Sequence, residues 1–314
     1  MRLLVTGGAG FIGSNFIHYW FGKHPKDEIV NVDKMTYAAD PRNLDGLEKY
    51  KHTLVEEDIV NSKSMERIVK DVDAVVNFAA ETHVDNSIVN SDNFVISNIV
   101  GVHVLLEAAK KFEKRFHQVS TDEVYGSLSL DSKKRFTESS PYSPKNPYSA
   151  TKAAADHLVN AYYNTYKMNV TISNCSNNYG PRQHKEKLIP KAISNALEDK
   201  KIPVYGRGVN IRDWIYVYDH CSAIEKILSK GKAGETYLVG SDSERHNIDV
   251  VNYVLGYLGK SKSLIEYVKD RPGHDLRYAI DASKIKKELG WKPNGTFEQN
   301  LDSTIDWYKE RLTN

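Results

Sequence analysis

Thr6-Gly7-Gly8-Ala9-Gly10-Phe11-Ile12-Gly13 follows the short apolar run Leu3-Leu4-Val5 and opens a helical stretch over residues 14–23. The glycines fall at 7, 10 and 13, a GxxGxxG spacing. Gly7 permits a tight turn, Gly10 lets the backbone approach a pyrophosphate, and Gly13 lets helix and strand pack closely. The helix N-terminus then offers N–H groups to phosphate. A second strand, residues 28–33, ends in Asp33. A carboxylate there accepts hydrogen bonds from an adenosine ribose and repels a 2′-phosphate, which selects NAD over NADP.

Outward from this loop, apolar runs alternate with helical patterns. Strands are expected at 53–56, 74–78, 116–120 and 170–174, and helices at 62–70, 92–111 and 148–167. Short apolar strands alternating with amphipathic helices predict an α/β fold, a Rossmann-like doubly wound parallel sheet covered on both faces. After Gly180 the pattern changes. Pro, Gly and Arg become frequent, and helices recur at 188–198, 219–229, 248–258 and 297–311. Residues 1–180 are therefore expected to form the NAD-binding domain and 181–314 mainly a smaller C-terminal lobe. Segments after 210 are candidates to return to the first domain.

Composition narrows the function classes. Of 314 residues, 40% are hydrophobic, enough for a sizeable core, and 43 basic against 41 acidic residues leave +2. Such a balance argues against nucleic acid or an anionic membrane as main partner. The two cysteines, Cys175 and Cys221, lack zinc-site spacing and are too few for a disulfide framework, as in a cytoplasmic protein with reduced thiols. No metal site is expected. Residues 1–6 already read as a strand, so no signal peptide is expected, and no apolar run approaches the roughly 20 residues of a membrane span.

Two clusters carry chemistry. Tyr148 and Lys152 begin a predicted helix, and residues four apart share a face. An ammonium near the phenol is expected to lower its pKa, so that Tyr148 can take a proton from a sugar hydroxyl as hydride leaves the same carbon. Thr121-Asp122-Glu123 ends the strand at 116–120, where the carboxyl ends of parallel strands face a ligand crevice. Thr121 can donate to the reacting oxygen. A dehydration uses every group: Tyr148 starts oxidation at C4, Glu123 removes the C5 proton, protonated Asp122 donates to the leaving C6 hydroxyl, and finally hydride returns to C6 and C5 is reprotonated. Asp122 needs a raised pKa, with Glu123 beside it as a cause. The split of acid and base between the two stays open.

With these motifs the chain resembles the extended short-chain dehydrogenase/reductases, and within them the dTDP-glucose 4,6-dehydratase family. The likeness continues through residues 31–37, Asp58-Ile59, residues 79–85, 174–181 and 186–190, Arg212-Asp213-Trp214, Asn247-Ile248-Asp249 and residues 270–275. The resemblance implies NAD contacts at Phe11, Ile12, Asp33, Lys34, Met35, Thr36, Asp58, Ile59, Ala79, Ala80, Ser97, Tyr148, Lys152 and Asn178. It implies nucleotide-sugar contacts at Thr82, Thr121, Asn177, Lys187, Leu188, Pro203, Tyr205, Arg212, Asn247, Arg271 and His274. Arg212, Arg271 and Lys187 would neutralise a diphosphate, and Tyr205 would stack on the base. It further implies dTDP-glucose as substrate, deoxysugar biosynthesis as context, and a homodimer paired through the helices at 92–111 and 148–167. Where relatives carry an aromatic-proline pair, this chain has His184-Lys185, and Ala39-Asp40 stands in place of glycine-asparagine.

The nearest rivals are another nucleotide-sugar dehydratase and a UDP-sugar 4-epimerase, which needs the tyrosine and NAD but no C5/C6 acid-base pair. A non-catalytic NAD-binding scaffold would need none of the catalytic groups.

Overall fold

The computed structural model describes residues 1–313. Its strands are β1 (Arg2–Thr6), β2 (Glu28–Asp33), β3 (Lys51–Glu56), β4 (Ala74–Asn77), β5 (Arg115–Thr121), β6 (Val170–Cys175), β7 (Asn177–Tyr179), β8 (Ile202–Tyr205), β9 (Ile211–Tyr216), β10 (Thr236–Val239), β11 (Glu244–His246) and β12 (Ile265–Val268). The helices are α1 (Phe11–Lys23), α2 (Ser62–Lys70), α3 (Val84–Val89), α4 (Asp92–Val95), α5 (Val102–Lys111), α6 (Pro147–Tyr166), α7 (Leu188–Leu197), α8 (Val217–Lys230), α9 (Asn247–Tyr257), α10 (Ser283–Leu289) and α11 (Phe297–Thr313).

Among the described residues, seven strands form one sheet in the order β10-β6-β5-β4-β1-β2-β3, every neighbouring pair parallel. Successive residues of a strand point to opposite faces. Leu3 and Val5 therefore pack with Phe16 and Ile17 of α1 and Ile224 and Leu228 of α8. Leu4, Val30 and Val32 pack on the other side with Val69 of α2, Leu105 of α5 and Val159 of α6. Fully burying one such side chain contributes about 1.5–3 kcal/mol. Both faces are thus apolar, which is why these strands lack polar alternation.

The smaller lobe has its own core, with Tyr179, Ile193, Trp214, Val250, Val254, Leu301 and Ile305. It holds the sheet β11-β9-β7 and the pair β12-β8. The chain does not stay there. After β9 it returns as α8 on the face of α1 and as β10 beside β6, with Thr236 opposite Ile172. β10 has four residues between glycine-containing turns, too short for a periodic signal.

The helix expected over residues 92–111 is interrupted. Between α4 and α5 lies a π-helical turn, Ile96–Gly101. The wider turn carries buried Asn98, whose amide accepts from the Glu81 N–H at 2.8 Å and donates to the Glu81 carbonyl at 3.0 Å and the Thr151 hydroxyl at 2.9 Å. The loop after β4 is thereby fixed to α6. π turns interrupt helices at such points because they redirect a side chain.

Candidate active site

One cleft runs along the carboxyl ends of the central strands and is bounded on its far side by the smaller lobe. Gly7, Gly10, Phe11, Ile12, Gly13, Asp33, Lys34, Thr36, Asp58, Ile59, Ala79, Ala80 and Ser97 line one end. Thr121, Asp122, Glu123, Tyr148, Lys152 and Asn178 line the middle. Thr82, Asn177, Lys187, Leu188, Pro203, Tyr205, Arg212, Asn247, Arg271 and His274 line the rest. Met35 is the exception: it is not part of the lining, and its backbone N–H instead donates to Asp33 Oδ1 at 2.9 Å. Among the described residues, no group of three or more His, Cys, Asp or Glu is placed to hold a metal.

The glycine loop forms a cradle that side chains would fill. Gly7 has φ +69°, and a Cβ there would lie 2.7 Å from the Ala79 nitrogen. A Cβ on Gly13 would lie 2.3 Å from the Gly7 carbonyl oxygen and 2.9 Å from the Gly8 Cα. Both obstacles are backbone, so Gly13→Ala must push helix and loop apart. We expect it to lower stability by about 1–3 kcal/mol and to weaken NAD binding at least tenfold, measured by thermal unfolding and NAD titration. Gly10 is the N-cap of α1 and has no side chain to cover the first-turn N–H groups. Asp33 accepts from Ala9 N–H at 2.9 Å and from Met35 N–H, leaving acceptor capacity on both oxygens. The Lys34 ammonium is held by Asp58 at 2.9 Å. A carboxylate beside a side-chain-free phosphate cradle fits NAD.

Thr121-Asp122-Glu123 leaves β5 in a capped turn. Thr121 Oγ1 accepts from the Glu123 N–H at 3.3 Å, and Gly126 ends the turn at φ +85°. Asp122 is 2% exposed, and its Oδ2 is buried without a hydrogen-bond partner among the described residues. Burial, and then the charge of Glu123, hold the Asp122 carboxyl well above the usual range, with Arg212 opposing them. The neighbour is thus a cause, but the smaller one. Burial raises Glu123 too, and Arg212 pulls it back most strongly.

α6 begins with a capping box. Asn146 Oδ1 accepts from the Ser149 N–H at 2.9 Å, and Ser149 Oγ accepts from the Asn146 N–H at 3.3 Å. Pro147 occupies the first helical position, where no N–H is needed. This sets Tyr148 and Lys152 on one buried face toward the cleft. The expected lowering of the phenol by Lys152 is not found. Burial, followed by Glu123, pushes Tyr148 well up, and the Thr121 hydroxyl is what opposes this. The Lys152 ammonium donates to the Val119 carbonyl at 2.8 Å, so it is anchored on the strand and not on the phenol.

At the far end, Arg212 donates to the carbonyls of Ile211 at 2.8 Å and Asp275 at 2.9 Å and lies 4.4 Å above the Tyr278 ring. Arg271 lies 4.7 Å above the Tyr205 ring and 3.5 Å from Asp85, to which the Tyr205 hydroxyl donates at 3.3 Å. One face of Tyr205 is therefore covered by a guanidinium. Lys187 donates to the Thr82 carbonyl at 3.4 Å. Asn177 and Asn247 each keep a buried side-chain oxygen without a partner among the described residues, facing the same cleft. The sequence reading missed Asn98, Asp85, Asn146 and Tyr278. Asn146-Pro147 was a readable helix start; Asn98 carried no local signal, because only the π turn aims it inward.

Comparison with known proteins follows the same lines. Residues 4–304 match the family model described as GDP-mannose 4,6 dehydratase. The chain is similar to the dTDP-glucose 4,6-dehydratase of Mycobacterium tuberculosis H37Rv, 50% identical over 99% of this chain and 94% of that one. It is similar to the solved structure of a Streptomyces venezuelae dTDP-glucose 4,6-dehydratase with NAD bound, with TM-score 0.96 and 43% identity, covering 100% of this chain and 98% of the other. It is also similar, at TM-score 0.92 and 26% identity, to a Thermotoga maritima UDP-glucose 4-epimerase with UDP-glucose, covering 99% of this chain and 100% of that one.

Proposed function

The chain belongs to the GDP-mannose 4,6-dehydratase family, and on that premise we propose that it converts dTDP-glucose to dTDP-4-keto-6-deoxyglucose and water, in deoxysugar biosynthesis. It is an NAD-dependent nucleotide-sugar dehydratase. Relatives at about half identity over nearly full length carry that activity in their names. The observation that carries the reading is the pair Asp122-Glu123 in the same cleft as Tyr148 and Lys152. An epimerase has no use for a second acid and base.

The glycine loop, Asp33, Asp58, Ser97 and Lys152 would hold NAD, which when bound would supply the hydride chemistry that links C4 and C6. Tyr148 takes the C4 hydroxyl proton, with Thr121 donating to the same oxygen. Its high pKa in a buried site makes it a strong base once ionised, and an ordered ammonium at Lys152 favours that ionisation when substrate and cofactor displace water. The ketone at C4 then acidifies C5. Glu123, whose charge Arg212 favours, removes that proton. Asp122, kept neutral by burial, protonates the departing C6 hydroxyl, and C5 regains the proton held by Glu123 as hydride returns to C6. Arg271 and Lys187 hold the diphosphate, and Tyr205 contacts the base with its uncovered face. Residues 1–180, with the returning α8 and β10, serve the cofactor, and the rest of 181–314 serves the nucleotide-sugar.

A cytoplasmic homodimer is part of the same reading. Its support is two buried free thiols, no helix among the described residues long and apolar enough to cross a membrane, and exposed Val95, Ile96 and Val100 on one proposed pairing helix with Tyr166 on the other.

The test is incubation with dTDP-, UDP- and CDP-glucose and GDP-mannose, followed by product masses. Loss of one water, fastest from dTDP-glucose, is expected. Interconversion of UDP-sugars without change of mass would replace the reading by epimerisation.

A further inference from the structure

Asp156 lies one turn beyond Lys152 on α6 and is fully buried. Three donors converge on its Oδ2: the Ser120 hydroxyl at 2.8 Å, the Asn174 amide at 3.0 Å and the Tyr142 hydroxyl at 3.1 Å. Its Oδ1 is buried with no hydrogen-bond partner among the described residues. Three donors to one oxygen favour the ionised carboxylate. An ionised carboxylate in the interior requires an opposite charge nearby. Residues four apart on a helix share a face, so the 4% exposed Lys152 stands on the same buried face one turn before Asp156, its ammonium resting on the Val119 carbonyl at 2.8 Å. Lys152 is the largest influence opposing burial at Asp156, and Asp156 the largest opposing burial at Lys152.

The donors come from the segments that carry the reacting groups. Ser120 precedes Thr121 on β5. Asn174 precedes Cys175 on β6, and its amide also donates to the Thr121 carbonyl at 3.2 Å. The Tyr142 ring packs edge-on, 5.0 Å between centroids, against Tyr125 of the turn that holds Glu123. The titratable groups facing Lys152 are Asp156 on its own helix and the Cys175 thiol on β6. Those facing Asp156 are Lys152 and, from the segment after β5, Tyr142 and Tyr125.

We propose that Asp156 is a positioning residue, the buried counter-ion that keeps Lys152 protonated and ties the ends of β5 and β6 to α6. This rests on the roles given above to Tyr148 and Lys152.

Asp156→Asn keeps the shape and removes the charge. The high-pH limb of kcat, where Lys152 loses its proton, is expected to move down by about one pH unit, a roughly tenfold loss on that limb, with KM for dTDP-glucose little changed. A folded variant whose profile superimposes on that of the wild type overturns the proposal. A second measurement needs no turnover and no substrate, so it separates this proposal from the assigned reaction. Lys152→Met leaves Asp156 buried without its counter-ion, raising the folded pKa of Asp156 further above the unfolded value. Stability is then lost as pH rises from the unfolded toward the folded pKa. The deficit in Tm relative to wild type is expected to grow between about pH 4 and 7, and that growth to vanish in Lys152→Met/Asp156→Asn. A deficit independent of pH, or unaltered by the second substitution, overturns the proposal.

Discussion

Glu123→Gln is expected to lower turnover of dTDP-glucose by about 10²–10⁴-fold while leaving NAD binding unchanged. Glutamine keeps the size of the side chain and the Thr121-capped turn that aims it, but it cannot take a proton from C5. Tyr148 and Lys152 remain intact, so oxidation at C4 still proceeds, and the reaction stalls before loss of water. Rapid mixing should therefore show a rise of reduced-nicotinamide absorbance that persists. The charge of Glu123 is also the second cause of the raised phenol pKa of Tyr148. Its removal should move the acid limb of that first oxidation to lower pH. Unchanged steady-state turnover would remove the carboxylate from the mechanism.

Tyr148→Phe should fail one step earlier. It deletes the oxygen that accepts the C4 proton, and the loss is again about 10²–10⁴-fold, now in the oxidation itself. The ring is 7% exposed and packs edge-on to Phe94 at 6.4 Å, an arrangement phenylalanine preserves. Stability should change by no more than about 0.5–1.5 kcal/mol, what one hydroxyl's hydrogen bonding contributes. The two variants are thus distinguished by one trace: reduced cofactor accumulates in Glu123→Gln and does not form in Tyr148→Phe. Its appearance at the wild-type rate in Tyr148→Phe would count against the phenol as base.

The sheet was legible because its strands are apolar on both faces and sit between helices of clear periodicity; residues 62–70 were bounded to the residue. The cleft was legible because its groups lie on contiguous motifs, at 121–123 and at 148 and 152. Less local features were not. The four residues of β10 are specified by β6 alongside them and not by their own pattern. Asp156 reads as an ordinary helical position, and only the packing of α6 on β5 and β6 makes it a junction. The sign of the shift at Tyr148 also escaped, because burial and two carboxylates are properties of the assembled cleft, whereas the lysine four residues on is visible in the chain.

The return of the chain through α8 and β10 has a bearing on how the molecule comes apart. A fragment ending near Gly180 would lack the seventh strand and one covering helix, leaving the hydrogen-bonding edge of β6 bare, the kind of surface on which strands from other molecules add. The remaining fragment would carry β10 without a neighbour. Neither piece is a self-sufficient folding unit, so the two lobes should melt in a single transition, and a split or domain-exchanged version of this protein should be cut elsewhere than at the visible waist.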